Sequence, residues 1–190
     1  MDTVPLAGKM TLEEYLGFEA LSETKHEYHR GEVFAMAGAS IAHNTIVSNT
    51  ISEIGSFLKG KSCRVFPSDL KIRVESADLF TYPDLSIVCE EPKLYHNSKD
   101  TIVNPVVIIE VLSDSTESYD RTEKFAFYRR IPSLKEYILI SSAEMRIEKY
   151  LKKADFVWEY QEYPQGSSSF TIESTGQEIL INEIYRNLAL

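Results

Sequence analysis

The segment Val106-Val107-Ile108-Ile109-Glu110-Val111-Leu112 constrains this chain more than any other. Six of its seven side chains are apolar, with no alternation, which reads as a strand buried on both faces. Such a strand sits inside a sheet, so further strands and covering layers must flank it. It also carries one carboxylate. An ionised glutamate among these neighbours costs several kcal/mol unless it is paired or bound to a metal. Glu110 must therefore reach a cleft, a cation or an arginine.

The flanking sequence supplies the layers. Thr11-Leu12-Glu13-Glu14 opens a short helix with a capping box. His26–His29 and Val33–Met36, separated by Arg30-Gly31-Glu32, read as a hairpin. Ser40 to Lys59 is the longest helix, with Ser40 as its cap. Strands follow at 64–66, 70–74 and 85–88, then the central run at 106–112. A helix over Ser118–Ile131 is stopped by Pro132. Glu136–Ile140 is a strand expected to run parallel to the central one across that helix. Residues 144–151, 156–163 and 169–173 read as an antiparallel meander, and 182–185 as a last helical turn. The expected architecture is a mixed α/β (α+β) layer fold around a sheet. With 190 residues, one domain over 1–190 is expected. Its core lies at about 40–142, with an N-terminal helix and hairpin (1–39) and a C-terminal meander (143–190).

Charge narrows the function. The net charge is −9, which argues against a general nucleic-acid coater. The total hides alternation: 59–75 carries net +3 and 121–153 net +5, between three acidic stretches. No window approaches the ~18 consecutive apolar residues of a membrane span. Met1–Pro5 has neither the basic start nor the apolar run of a signal peptide. Cys63 and Cys89 give no disulfide framework and no zinc spacing, so a reduced, cytoplasmic setting is expected. His26-x-x-His29 would point to opposite faces of a strand and is no zinc pair. Trp158, Tyr160 and Tyr163 read as packing within the meander or as a dimer surface.

Two further charges join Glu110. Asp84, in Tyr82-Pro83-Asp84-Leu85, begins an apolar strand, where proline is tolerated. If that strand pairs with the central one, Asp84 and Glu110 project to one place. Two close carboxylates repel unless a divalent cation lies between them, and oxygen ligands favour Mg²⁺ or Mn²⁺. Lys124 lies on the following helix, four residues from Tyr128 and on its face. Each has a plainer reading: Glu110 paired with a core arginine, Asp84 a turn carboxylate, Lys124 a solvated helix residue.

These residues sit inside a longer set of blocks. Met10–Tyr15, Glu27-Tyr28, Gly31-Glu32-Val33, Met36–Ser40, His43-Asn44, Ser68–Lys71, Tyr82–Asp84, Ile109–Ser113, Asp120-Arg121, Lys124, Tyr128 and Pro132–Tyr137 resemble, in order, the Uma family of restriction-endonuclease-like proteins. The resemblance runs from about Met10 to Tyr150. It implies a PD-(D/E)xK nuclease fold and a divalent-metal phosphodiesterase site acting on DNA, within a homodimer. Pro83-Asp84 matches the PD element and Glu110 the second acid. Leu112 stands where the lysine belongs, and the family's following helix carries a lysine that is Lys124 here. Asp114 replaces the usual proline after the serine.

The resemblance implies Mg²⁺ or Mn²⁺ held by Asp84, Glu110 and the Val111 carbonyl, with Lys124 orienting the nucleophile. His43, ahead of Glu53, is a further candidate on the long helix. Lys71, in an acid-x-Lys spacing with Asp69, is an alternative lysine. Lys71, Arg73, Arg121, Arg129 and Arg130 are candidates for the phosphate path. The rival expectations are a nucleic-acid-binding or regulatory module that keeps the fold without activity, and a structural dimer that binds only metal.

Overall fold

The computed structural model describes residues 5–6, 8–96 and 98–189. Met1–Val4, most of the stretch read for a leader, lies outside the described residues. No helix among the described residues is long and apolar enough to cross a membrane.

The chain begins with α1 (Leu12–Glu19), closed by the expected capping box between Thr11 and Glu14. The hairpin follows as β1 (His26–His29) and β2 (Glu32–Ala35). Its turn holds Arg30 at φ 51° and Gly31 at φ 92°, the second a conformation that favours glycine. Ser40 caps α2 (Ile41–Leu58) by accepting from the His43 N–H at 3.1 Å. Then come β3 (Cys63–Pro67), β4 (Lys71–Val74), β5 (Leu79–Thr81), β6 (Leu85–Cys89), β7 (Thr101–Ile102) and β8 (Val107–Leu112). After α3 (Glu117–Tyr119), a π-helical turn (Asp120–Lys124) and α4 (Phe125–Tyr128), the chain forms β9 (Glu136–Ser141), β10 (Ile147–Ala154) and β11 (Val157–Tyr163). It ends with β12 (Ser169–Ile172), β13 (Gln177–Leu180) and α5 (Ile181–Ile184).

Three sheets result: β11-β10-β9-β8-β6-β3, β2-β1-β5-β4-β7 and the pair β12-β13. As expected, β8 is interior, with all six residues buried. It pairs antiparallel with β6 and parallel with β9. Its alternate side chains serve different layers. Val107, Ile109 and Val111 pack with α2, α5 and the β12-β13 pair. Ile108 and Leu112 pack with Tyr128, Ile131 and the five-stranded sheet. Glu110, by the same alternation, faces this second layer.

The structure departs from the sequence reading in four places. β4 leaves the series around it and joins the hairpin sheet, where the short β5 and β7 flank it. Alternation identifies a strand but not the sheet that receives it. β12 pairs with β13 and does not extend the meander. The helix expected over Ser118–Ile131 contains the π turn and ends, as regular helix, at Tyr128. Cys63 and Cys89 stand directly opposite each other on β3 and β6 and form a disulfide, which corrects the expectation of a reduced pair without a disulfide framework.

Trp158 packs edge-on against Phe125 of α4, and Tyr160 packs against Tyr150 of β10. His26 meets Glu19 at 3.0 Å, whereas the His29 ring lies 4.7 Å from Phe127, so the two histidines share no site.

Ile138 is fully buried in β9 beside the central strand. Ile138→Ala is expected to cost about 2–5 kcal/mol in urea unfolding, by lost transfer energy plus the cavity. His29 carries a pH signature. Burial, then the Arg30 charge, holds its imidazole below the ordinary histidine value. A depressed folded value means that its contribution is complete above the unfolded value of about 6.5 and is lost as pH falls through the folded one. His29→Gln is therefore expected to flatten the acid side of the stability–pH curve, read by thermal melting between about pH 4 and 7.

Candidate active site

Three elements converge on Glu110. The β6–β8 register pairs Leu85 with Ile109, and one step further Asp84 faces Glu110. The Asp84 N–H donates to Glu110 Oε2 at 3.2 Å, and the Val111 N–H donates to Asp84 Oδ2 at 2.7 Å. From the helix that follows β8, Lys124 Nζ reaches Glu110 Oε1 at 2.9 Å, and the Tyr128 hydroxyl donates to the same oxygen at 2.9 Å. The i, i+4 spacing places both groups on one face, although a π turn lies between α3 and α4. From the start of α2, His43 Nε2 lies 3.1 Å from Asp84 Oδ2.

The hairpin sheet closes the inner side. Glu27, on β1 and 3% exposed, accepts from the Thr81 hydroxyl at 2.5 Å and lies 3.7 Å from Lys124 Nζ. Asp120, one turn before Lys124, contacts it at 3.4 Å. On the outer side the group opens into a cleft of about 730 Å³, walled by Met36–Ser40 and Ser113–Thr116. Five carboxylates (Glu27, Asp84, Glu110, Asp114 and Asp120) thus line a cleft with Lys124 and His43 as its basic groups.

The electrostatics follow from this crowding. Burial pushes the Glu110 carboxyl up to about 8; Lys124 opposes that shift, while Asp120 and Asp84 add to it. Burial disfavours the charged Lys124 ammonium, but Glu110 and the other surrounding anions outweigh it and hold Lys124 well above its usual value. Burial likewise works against a charged His43. The hydrogen bond and charge of Asp84, helped by Asp120 and the Val111 backbone, leave it raised.

Among the described residues, no three His, Cys, Asp or Glu side chains form a ready metal cage. Two carboxylates joined by a main-chain carbonyl, at the wall of an open cleft, fit Mg²⁺, which keeps several waters and takes few protein oxygens. The excess of carboxylates over cations fits the same ion.

Comparison with known proteins gives the family and the fold. The Uma2 family model, described as "Putative restriction endonuclease", matches residues 12–182. The chain belongs to the Uma2 family. Two uncharacterized proteins of Synechocystis sp. are each 37% identical to it. Protein slr1290 aligns over 95% of this chain and 94% of its own length, and sll1609 over 78% and 84%. A crystal structure of a "putative nuclease belonging to DUF820" from Anabaena variabilis superposes with a TM-score of 0.76. It is 20% identical, covering 93% of this chain and 97% of that one, and shows the shared fold.

In this Uma2 chain Asp84, Glu110, Lys124, Tyr128 and His43 come together. The other sequence candidates lie elsewhere. Glu53 lies three turns along α2 from His43, and its carboxylate faces Arg186 at 3.9 Å. Lys71 is buried against Asp100 at 3.2 Å, and Arg73 against Asp78 at 2.8 Å. Arg121 is held by Glu148 and Glu117. Arg129 and Arg130 are exposed at the end of α4, and none of these five cations lines the cleft.

Glu27 and Asp120 were not among the sequence candidates. The signal for Glu27 was the one that marked Glu110: an acid inside a short strand, here between His26 and Tyr28. Asp120 could be found as the i−4 neighbour of Lys124.

Lys124 bridges three carboxylates, so removing it leaves buried anions without a partner. Lys124→Met is expected to cost about 3–5 kcal/mol in urea unfolding with chelator present. A loss under about 1 kcal/mol would show that these carboxylates take up protons and need no cation.

Proposed function

We propose that this Uma2 protein is a divalent-metal-dependent endonuclease that hydrolyses phosphodiester bonds of DNA. The observation that carries the reading is the opposition of Asp84 and Glu110 across two paired strands, with Lys124 on Glu110, at the wall of an open cleft. The family description and the neighbour's title point to the same chemistry.

In this reading Asp84, Glu110 and the Val111 carbonyl hold the ion. A divalent cation supplies a lowered pKa for its water and polarises the phosphate. The chain's own groups do the positioning. Tyr128 and the Asp84 N–H fix the two oxygens of Glu110, and the Val111 N–H and His43 fix Asp84. The Lys124 ammonium, steadied by Asp120 and Glu27, donates toward charge that develops on the phosphoryl oxygens. The homodimer expected with this fold would present one such cleft to each strand of a duplex.

One observation favours a second reading, a module that keeps the fold without cleaving. Leu112 occupies the position where the PD-(D/E)xK pattern has its lysine, and it is 3% exposed in the apolar layer.

The test is cleavage of plasmid DNA with Mn²⁺ or Mg²⁺. Wild type is expected to nick it and to stop with chelator, and Asp84→Asn and Glu110→Gln each to lower the rate at least about 100-fold. Melting in parallel should show stabilisation of wild type by the metal, lost in Asp84→Asn. Variants that cut like wild type would sink the site. A metal-dependent melting shift without cleavage of DNA or RNA would favour the second reading.

A further inference from the structure

We propose that the groove between the C-terminal end of α2 and the edge strand β3 binds the phosphate backbone of the nucleic acid cut in the cleft. The inference rests on the nuclease reading and adds to it the track along which the strand runs.

The cleft itself is poor in cations. Lys124 is held by carboxylates, and most of the basic residues named from the sequence are spent elsewhere: Lys71, Arg73 and Arg121 make internal ion pairs. A polyanion approaching a chain of net charge −9 needs positive charge from another place. The groove supplies it. It measures about 580 Å³ and its lining includes Lys59, Lys61 and Arg64 but no carboxylate. Lys59 and Lys61 are exposed and make no ion pair among the described residues. The Lys61 ammonium sits over the Phe57 ring, 3.0 Å from its centroid. Among the described residues Arg64 makes only a long 3.4 Å contact with the exposed Glu91 and a 3.4 Å contact with the Glu90 carbonyl.

One element joins groove and cleft. α2 starts at the cleft, where His43 meets Asp84, and ends at Leu58, beside Lys59. Its 18 residues span about 27 Å. Along its exposed row stand Asn44, Ser48, Ser52 and Ser56, all short and uncharged. Serine and asparagine are weaker helix formers than the lysine and glutamate common on such faces. The one charged residue of the helix, Glu53, turns to Arg186. A phosphate chain can therefore lie close along the helix without meeting a carboxylate. At 3.4 Å per nucleotide the distance corresponds to about eight phosphates from the cut to the groove.

Binding is read by fluorescence anisotropy of a labelled DNA duplex long enough to span both places, with Ca²⁺ present in place of Mg²⁺ or Mn²⁺. Lys59→Gln/Lys61→Gln is expected to weaken binding at least about fivefold near 0.1 M salt and to reduce the slope of log K against log salt by about 1.8, or 0.9 per lost contact. Lys152→Gln/Lys153→Gln, the same loss of charge on the β10–β11 hairpin, is expected to change neither. Wild-type binding that the groove variant leaves intact overturns the groove and spares the nuclease reading. Equal weakening by both variants reduces the effect to net charge and also overturns it. Equally tight, Lys59- and Lys61-dependent binding of poly-glutamate would reassign the groove to an acidic protein. Absence of wild-type binding to any nucleic acid would overturn the nuclease reading and the groove with it.

Discussion

Glu110 is buried at 3% exposure in the middle of the main sheet, and the structure around it is arranged to make that tolerable. A lone carboxylate there would take up a proton or unfold the strand. It is held instead by an ammonium and a phenol from the helix after β8 and by a backbone N–H at the start of β6. Each contact constrains the fold. The N–H of Asp84 requires β6 to pair with β8 in one register, since a slip by one residue would turn Asp84 away. Lys124 and Tyr128 require the helix after β8 to fold back over the same end of the sheet.

The second sheet takes part in the same arrangement. Thr81 stands on β5 and Glu27 on β1, neighbouring strands of that sheet. The Thr81 hydroxyl also lies 3.2 Å from that of Tyr128, so the network crosses from one sheet to the helix and on to the other sheet. Polar contacts of this kind are costly when incomplete and specify one packing when complete. The two sheets are thereby tied at the place where the cleft opens, and the π turn carrying Asp120 and Lys124 sits at that junction. Such turns inside helices occur often at functional sites, because they re-aim side chains that a regular helix would send elsewhere.

Much of this was legible in the sequence, and the limits have physical causes. The central strand, the crossover helix, the parallel β9 and the capped α2 all carry strong local signals. The convergence of Asp84, Glu110 and Lys124 followed from pairing two strands and folding back one helix. The destination of β4 was not legible, because alternation marks a half-buried strand and says nothing of its sheet. Nor does a buried charge by itself mark a cleft. Glu136, fully buried on β9, accepts from the Glu173 and Ser174 N–H groups and ties the β12–β13 connection to the main sheet. Lys149, fully buried on β10, is neutralised by Glu173 at 2.7 Å. Both are structural ties with balanced partners. The cleft differs in its balance, with five carboxylates against Lys124 and His43.

The same folding separates the charge of a sequence segment from the charge it leaves at the surface. The stretches at 59–75 and 121–153 are basic as sequence, but charge reaches a partner only from side chains left unpaired at the surface. Folding sends Lys71 and Arg73 into the second sheet and Arg121 onto Glu148, while Lys59 and Lys61, exposed at the end of a helix, make no ion pair among the described residues. The part of the first stretch that stays available is therefore its beginning, where α2 stops. A cleft that concentrates carboxylates repels a polyanion. On the proposed nuclease reading the grip on nucleic acid therefore comes from elsewhere. In that proposal affinity depends on salt through the groove and on the divalent ion through the cleft, and the two dependences are separable because the two places lie at opposite ends of one helix.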